Sequence, residues 1–299
     1  VISTTELDEL MRRGWPAIRE TTVDGWLARF SGGVTRRANS VLPFRSPSEP
    51  ERAVCRVEEL YRCHGLLPAF QLGPAARPSD LDAVLARRGY ELRTPTVVLV
   101  AALGEVPHHL PGSRPEIHVQ HRPDPSWTEL WWKVDGRGGP DSRAIAHEIL
   151  TAVPALYASR EDRHGVAAVG RLALVGSRAG LYCMATRPDA RGRGHASAIL
   201  RGLLERAAEC GSKYAWLQVT TDNHAARALY ERAGFRWASH YHYRELTSPA
   251  AIPLGEHQRT AEGKGARNPS PEKDSGTRPT PDGSHASTEE KTAAYTADP

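Results

Sequence analysis

Near residue 190 the chain passes from an apolar strand pattern, through a turn with two glycines, into a strongly amphipathic helix. No other succession in the sequence constrains the fold as tightly. The turn is Arg191-Gly192-Arg193-Gly194-His195-Ala196, and it follows a strand pattern over Leu181–Thr186. Beyond it, Ile199, Leu200, Leu203, Leu204, Ala207 and Ala208 form an apolar stripe at i, i+3, i+4 spacing, which predicts a helix from about Gly194 to Cys210. Glycines at 192 and 194 allow a tight turn with no Cβ to obstruct a ligand. The N–H groups of the first helical turn then point outward, and the helix dipole adds partial positive charge. This is an anion cradle, to which Arg191 and Arg193 add charge-assisted contacts suited to phosphate.

Two other phosphate-binding turns fit less well. A dinucleotide fingerprint requires a third glycine where this chain has Ser197, and a Walker A loop requires Gly-Lys-Ser/Thr. A second segment narrows the chemistry. Thr221-Asp222-Asn223 supplies N-caps for a helix over Asn223–Ala233, with Gly234 at its end. Tyr230 lies seven residues, or two turns, beyond Asn223 and so shares its face. A phenol so placed could protonate a leaving group, whereas a packed core residue is the ordinary role of a tyrosine.

Met184–Ala196 together with Asn223–Phe235 resembles the GCN5-related N-acetyltransferase family, over roughly Glu116–Leu246. The resemblance implies an α/β fold (α+β in some schemes), with a mixed, mostly antiparallel sheet flanked by helices. It implies acetyl-CoA as acyl donor, no metal, and a primary amine of a small molecule or protein as acceptor. Backbone groups of Met184, Ala185 and Thr186 would pair with the pantetheine arm, in a slot where two central strands splay near Thr186. Arg191, Gly192, Arg193, Gly194, His195 and Ala196 would hold the pyrophosphate, Asn223 would contact the coenzyme arm, and Tyr230 would be the general acid. Glu148, Glu161 and Asp162 are acids near the expected cleft, and none is assigned as base. The alternative is a non-catalytic acyl-CoA-binding regulatory protein.

The rest of the chain divides around these motifs. Residues 248–299 are rich in Pro, Gly, Ser, Thr, Lys and Glu with little apolar content, as expected of a disordered tail. The Pro/His/Gly-rich stretch within 107–115 reads as a linker between a first domain, 1–106, and a catalytic domain, 116–247. In the first domain, Gly25–Phe30 and Arg37–Phe44 are expected to flank Ser31-Gly32-Gly33 as a hairpin. Helices are expected at Pro50–Cys63 and Ser79–Arg88, with strands at Pro68–Leu72 and Glu91–Ala101.

That order echoes the second half of the catalytic domain. With the strings Gly14-Trp15-Pro16-Ala17, Asp24-Gly25-Trp26-Leu27 and Gly32–Val41, it is similar to actinobacterial two-part acetyltransferases, in which a degenerate half precedes an active one. Arg45-Ser46-Pro47-Ser48-Glu49 holds no Gly-x-Gly, so this half should hold no pyrophosphate. Arg37, Asn39 and Ser40 either line an acceptor pocket or form a hairpin edge facing water.

A net charge of +4 suits an anionic cofactor and falls short of a dedicated nucleic-acid binder. The four cysteines form no C-x-x-C pair, so reduced thiols are expected, and Cys183 reads as core filling. No apolar run approaches ~18 residues. A cytoplasmic monomer or homodimer with no membrane or nucleic-acid partner is the expectation.

Overall fold

In the computed structural model, residues 2–104, 116–136 and 138–247 are described. The expected linker and tail lie outside them. Helix α1 (Thr4–Gly14) is capped by Ser3, whose hydroxyl accepts from Glu6 N–H. Strands β1 (Arg19–Val23) and β2 (Trp26–Phe30) form a separate hairpin. Its turn is Asp24-Gly25, both at positive φ, the conformation that two-residue hairpins favour.

The hairpin therefore lies one strand earlier than Ser31-Gly32-Gly33 suggests. Residues 31–39 are instead a loop with one 3-10 turn, Arg36–Ala38, organised around the Asn39 side chain. The Asn39 Oδ1 accepts from Ser31 and Gly33 N–H, and its Nδ2 donates to Val34 and Thr35 carbonyls. Such side-chain bonding competes with a strand ladder for the same backbone groups.

The remaining elements are α2 (Pro50–Cys63), β3 (Ala69–Leu72), α3 (Leu81–Arg87), β4 (Glu91–Ala102), β5 (His118–Gln120), α4 (Pro125–Asp135) and α5 (Pro140–Thr151). After these come β6 (Ala155–Asp162), β7 (Gly165–Val175), β8 (Arg178–Thr186), α6 (His195–Glu209), β9 (Tyr214–Thr220), α7 (His224–Arg232) and β10 (Arg236–Glu245). Eight strands make one sheet in the order β3-β10-β4-β9-β8-β7-β6-β5. Every pairing in it is antiparallel except β8 with β9.

The boundary expected at 107–115 does not separate two sheets. Strand β4, from before it, lies between β9 and β10, and β10 lies between β3 and β4. All described residues fall in one compact unit.

Alternation along the strands gives the sheet two apolar faces. On one, Ile199, Leu200, Leu203 and Leu204 of α6 and Leu229 and Tyr230 of α7 pack on Leu156, Leu172, Leu181, Leu217 and Val219. On the other, Leu7, Leu10 and Met11 of α1, Trp127 and Trp131 of α4 and Ile149 and Leu150 of α5 cover Tyr157, Val169, Tyr182, Trp216 and Tyr241. A third cluster, with Trp26, Val54, Val57, Tyr61, Phe70 and Leu85, holds α2, α3 and the hairpin together.

Candidate active site

The parallel strands at the centre of the sheet separate partway along. Their register runs from Arg178↔Tyr214 to Leu181↔Leu217 and then stops, although β8 continues to Thr186 and β9 to Thr220. A bulge in β8 coincides with this end of the pairing. Between Val169 and Arg171 of β7, the partner positions on β8 jump from Ala185 to Tyr182, leaving one extra residue on β8. Cys183 takes the strain at φ 54°, a left-handed conformation uncommon outside glycine. Tyr182 and Cys183 consequently both lie toward the α1/α4/α5 face, and Met184 returns to the α6/α7 face. The bulge falls where the β8–β9 register ends, and beyond Leu181 and Leu217 the two strands form a fork in which they no longer pair with each other.

The double-glycine turn lies at the far end of β8. Gly192 has φ 71° and Gly194 φ 79°, and a Cβ on either would meet nothing within 4 Å. Glycine is required here for backbone conformation, and the space beside it is open. Gly194 is the N-cap of α6 and offers no side-chain cap. The first ladder bond is Ala198 N–H to Gly194 O at 3.1 Å, so the N–H groups of His195, Ala196 and Ser197 precede the ladder. Arg191 and Arg193 are exposed, while the His195 and Ala196 side chains are buried. His195 Nδ1 has no hydrogen-bond partner among the described residues, and burial, reinforced by nearby Arg160, lowers the imidazole's pKa.

Asn223 caps α7, with Oδ1 accepting from Ala226 N–H at 3.0 Å. Its Nδ2 is buried without a partner among the described residues, as are Gln218 Nε2 and Thr220 Oγ1 on the stretch of β9 that has left β8. Three unpaired polar atoms along one strand end are unusual in a folded interior and fit a polar ligand seated in the fork. Two turns along α7, Tyr230 is 4% exposed and shares a cluster with Met184, Leu181 and Val219. Its ring stands edge-on to Phe235 at 6.0 Å. Burial alone raises its pKa above the ordinary phenol range. The structure thus brings Met184, the fork and Tyr230 together, with the glycine turn at the end of the same strand.

None of the three candidate bases stands out. Glu148 is exposed on α5, and Glu161 is exposed near the end of β6. Asp162 is held by Arg187, whose hydrogen bonds lower its pKa to about 2. Of the first-half polar residues, Asn39 and Ser40 are committed to structure, Ser40 through its carbonyl and hydroxyl to Arg29. Arg37 is different: its guanidinium lies 4.9 Å from the Trp15 ring and 5.6 Å from the Tyr182 ring. Sequence reasoning missed Arg171, which is fully buried beside the same two rings. It also missed the Cys183 bulge, since no residue type announces a strained non-glycine. Among the described residues, no group of three His, Cys, Asp or Glu could hold a metal, and no helix is long and apolar enough to cross a membrane.

Residues 4–246 match the family described as probable histone acetyltransferase Rv0428c C-terminal. The chain belongs to that family. It is a GCN5-related N-acetyltransferase by fold and relatives. It is 28% identical over 242 residues to the uncharacterized N-acetyltransferase YobR of Bacillus subtilis (strain 168), covering 80% of this chain and 97% of that protein. A GCN5-related N-acetyltransferase from Kribbella flavida superposes with a TM-score of 0.62 at 14% identity, covering 81% of this chain and 95% of that one. A tandem protein of the same fold from the clavulanic acid biosynthesis pathway gives 0.52 at 13% identity, covering 65% of this chain and 68% of that one. These two likenesses show the acetyltransferase fold.

Proposed function

We propose that this N-acetyltransferase transfers the acetyl group of acetyl-CoA to a primary amine by direct attack, with Tyr230 as general acid. The observation that carries the reading is the fork, where β8 and β9 part after Leu181 and Leu217 between the glycine turn and the buried Tyr230. Amides at the start of α6, with Arg191 and Arg193, would hold the pyrophosphate. The free edge of Met184, Ala185 and Thr186 would pair with the pantetheine amides as an added strand. Asn223 Nδ2 would donate to the arm. Acetyl-CoA supplies an activated thioester carbonyl.

The residues then position and protonate. The amine nitrogen forms the C–N bond as the C–S bond breaks, and the amine's proton leaves to water at the open side of the fork. Tyr230 faces the departing sulfur. Burial raises the phenol's pKa and so keeps it protonated, and Tyr230 donates that proton to the sulfur as negative charge develops there. Holding both reactants in one cleft supplies much of the remaining rate.

The first half is read as a degenerate acetyltransferase-like half that binds no coenzyme. Glu49 is the N-cap of α2 and Glu51 lies in its first turn, so carboxylates stand where a phosphate would need to be.

The experiment is acetyl transfer across an amine panel, comparing wild type with Tyr230→Phe and measuring acetyl-CoA binding by calorimetry. Loss of kcat by roughly 10²–10⁴ with binding retained supports the reading. Tight binding with no turnover of any amine would instead identify a regulatory acyl-CoA sensor.

A further inference from the structure

The two faces of the fork differ. Toward α6 and α7 it is apolar around Tyr230. On the opposite face, Tyr182 is the first residue of β8 beyond the parallel register, and Gln218 is the first of β9. Side chains alternate along a strand, so Thr220 shares the face of Gln218. There it lies across from Thr96 of β4, which in turn lies across from Tyr241 of β10.

Two side-chain atoms on this strip are buried with no partner among the described residues: Gln218 Nε2 and Thr220 Oγ1. Tyr241 fixes the first of them. Its hydroxyl donates to Gln218 Oε1 at 2.8 Å, which leaves the amide donor to face elsewhere. Buried polar atoms without partners are rare and costly, and two on neighbouring positions of one strand face fit a bound polar group.

The backbone gives a second, independent indication. Among the described residues four non-glycines have positive φ, and three of them support this face. Cys183 (φ 54°) follows Tyr182 in the bulge. Thr35 (φ 61°) accepts from Trp15 Nε1 at 3.0 Å, and Trp15 packs on Tyr182 with ring centroids 5.3 Å apart. Thr94 (φ 48°) accepts at its carbonyl from the Thr96 hydroxyl at 2.9 Å. Such conformations are strained for β-branched residues and cluster where a site must be shaped.

The charges nearby single out no ionic partner. Arg171 and Arg37 are cations and Asp135 is an anion, and all three act on Cys183. Arg171 already donates to Leu150 O and Gly14 O, and Arg37 and Asp135 have interactions of their own. Selection therefore falls to the neutral amide and hydroxyl.

We propose that this strip is the acceptor subsite, and that the acceptor amine carries an uncharged oxygen close to its nitrogen, a hydroxyl or an amide carbonyl, bound by Gln218 Nε2 and Thr220 Oγ1. The proposal rests on the transferase reading. A coenzyme arm lying against Tyr230 takes the other face and leaves this one to the nucleophile. Nε2 can only donate, whereas Oγ1 can donate or accept, so the pair matches an oxygen that accepts at least one bond. Gln218 and Thr220 are thus specificity-determining residues, and Tyr241 is a positioning residue that acts through Gln218.

The test uses the full-length protein with acetyl-CoA and paired amines: ethanolamine against propylamine, and L-phenylalaninamide against phenethylamine, with L-phenylalanine as the charged comparison. The ratio of kcat/KM for the oxygenated member to that for its plain partner is compared between variants, so differences in amine basicity cancel. Thr220→Val and Gln218→Leu should each lower the ratio about two- to tenfold for at least one pair, as one neutral hydrogen bond would. Thr220→Ser should keep it. Tyr241→Phe should lower it in the wild-type background and not in Gln218→Leu. Calorimetric titration with coenzyme A checks that each variant is folded.

Unchanged ratios in both variants for both pairs, with turnover intact, would overturn the proposal and leave the transferase reading standing. So would weaker coenzyme A binding with unchanged ratios, which would place both atoms on the coenzyme arm. A larger loss with L-phenylalanine than with its amide would show a site that selects charge, and would also overturn it. Absence of turnover on every amine, with coenzyme A still bound, would remove the transferase reading itself and this proposal with it.

Discussion

Arg187 Nη2 donates to both carboxylate oxygens of Asp162, at 2.9 and 2.8 Å, tying the end of β6 to the segment that leads into the glycine turn. The same guanidinium reaches Asp189 Oδ1 at 2.7 Å and Val166 O at 3.0 Å, and Arg187 N–H donates to Ala167 O. The segment leading into the glycine turn is therefore anchored on its strand side by one arginine with four partners.

Asp162→Asn should raise the KM for acetyl-CoA severalfold and leave kcat at saturating coenzyme close to wild type. Steady-state kinetics at fixed acceptor concentration would check this. The pH dependence has a definite sign. Arg187 lowers the folded pKa of Asp162 to about 2, below the ordinary carboxylate value of about 3.9. The clamp's contribution is therefore complete above about pH 4 and is lost as pH falls toward 2. Coenzyme binding followed down to pH 4 should show no loss that depends on Asp162. A midpoint near neutrality that disappears in Asp162→Asn would contradict the clamp.

Gly194→Ala separates conformation from ligand. The residue sits at φ 79°, so alanine there costs about 1–2 kcal/mol of stability from backbone strain alone. Its Cβ meets nothing in the protein. The expectation is a modestly lowered Tm, measured calorimetrically, with coenzyme A binding lost beyond what that instability explains. Binding retained at wild-type affinity would mean the pyrophosphate lies elsewhere.

Several buried phenols give the protein an alkaline limit. Burial raises the pKa of Tyr61, Tyr90, Tyr182, Tyr230 and Tyr241, in Tyr182 to about 12. Above the unfolded tyrosine value of about 10, the folded state holds more protons than the unfolded one. Stability is therefore unaffected by these groups below about pH 10 and falls as pH rises beyond it. Denaturant titrations between pH 8 and 11 should show the decline begin near 10. Tyr230 should also contribute no alkaline limb to kcat below that point.

What the sequence discloses about this chain follows from how local each signal is. The α6 stripe, the double-glycine turn and the Asn223 cap are written in neighbouring residues, and each element forms where its pattern places it. Helix α2 begins at Pro50 and ends at Cys63, as its periodicity predicts. The bulge at Cys183 is not local, because it exists only relative to the register of β7. The insertion of β4 between β9 and β10 is likewise a pairing between distant segments, visible in no window of either strand. Arg171 reads as an ordinary strand arginine until Gly14 and Leu150 fold over it. The double-glycine turn and the Asn223 cap are thus legible in neighbouring residues, while the β8 bulge and the burial of Arg171 arise only through tertiary contact.

Asn223 offers the sharpest separation of a structural role from a binding one. Its Oδ1 caps Ala226 N–H, and its buried Nδ2 has no partner among the described residues. Asn223→Ala removes both groups and should cost about 1 kcal/mol of stability through the lost cap. Asn223→Ser keeps a capping oxygen and neutrality but removes the amide donor. Serine caps about as well as asparagine, so its Tm should match wild type. Coenzyme A affinity should nonetheless fall about two- to tenfold in both variants, as expected for one neutral hydrogen bond of about 0.5–1.5 kcal/mol. Calorimetric titration beside thermal melts reads both effects. If the serine variant binds like wild type while alanine binds weakly, Asn223 acts only by holding α7 in place, and the donor to the coenzyme arm must be sought at Thr220 or Gln218.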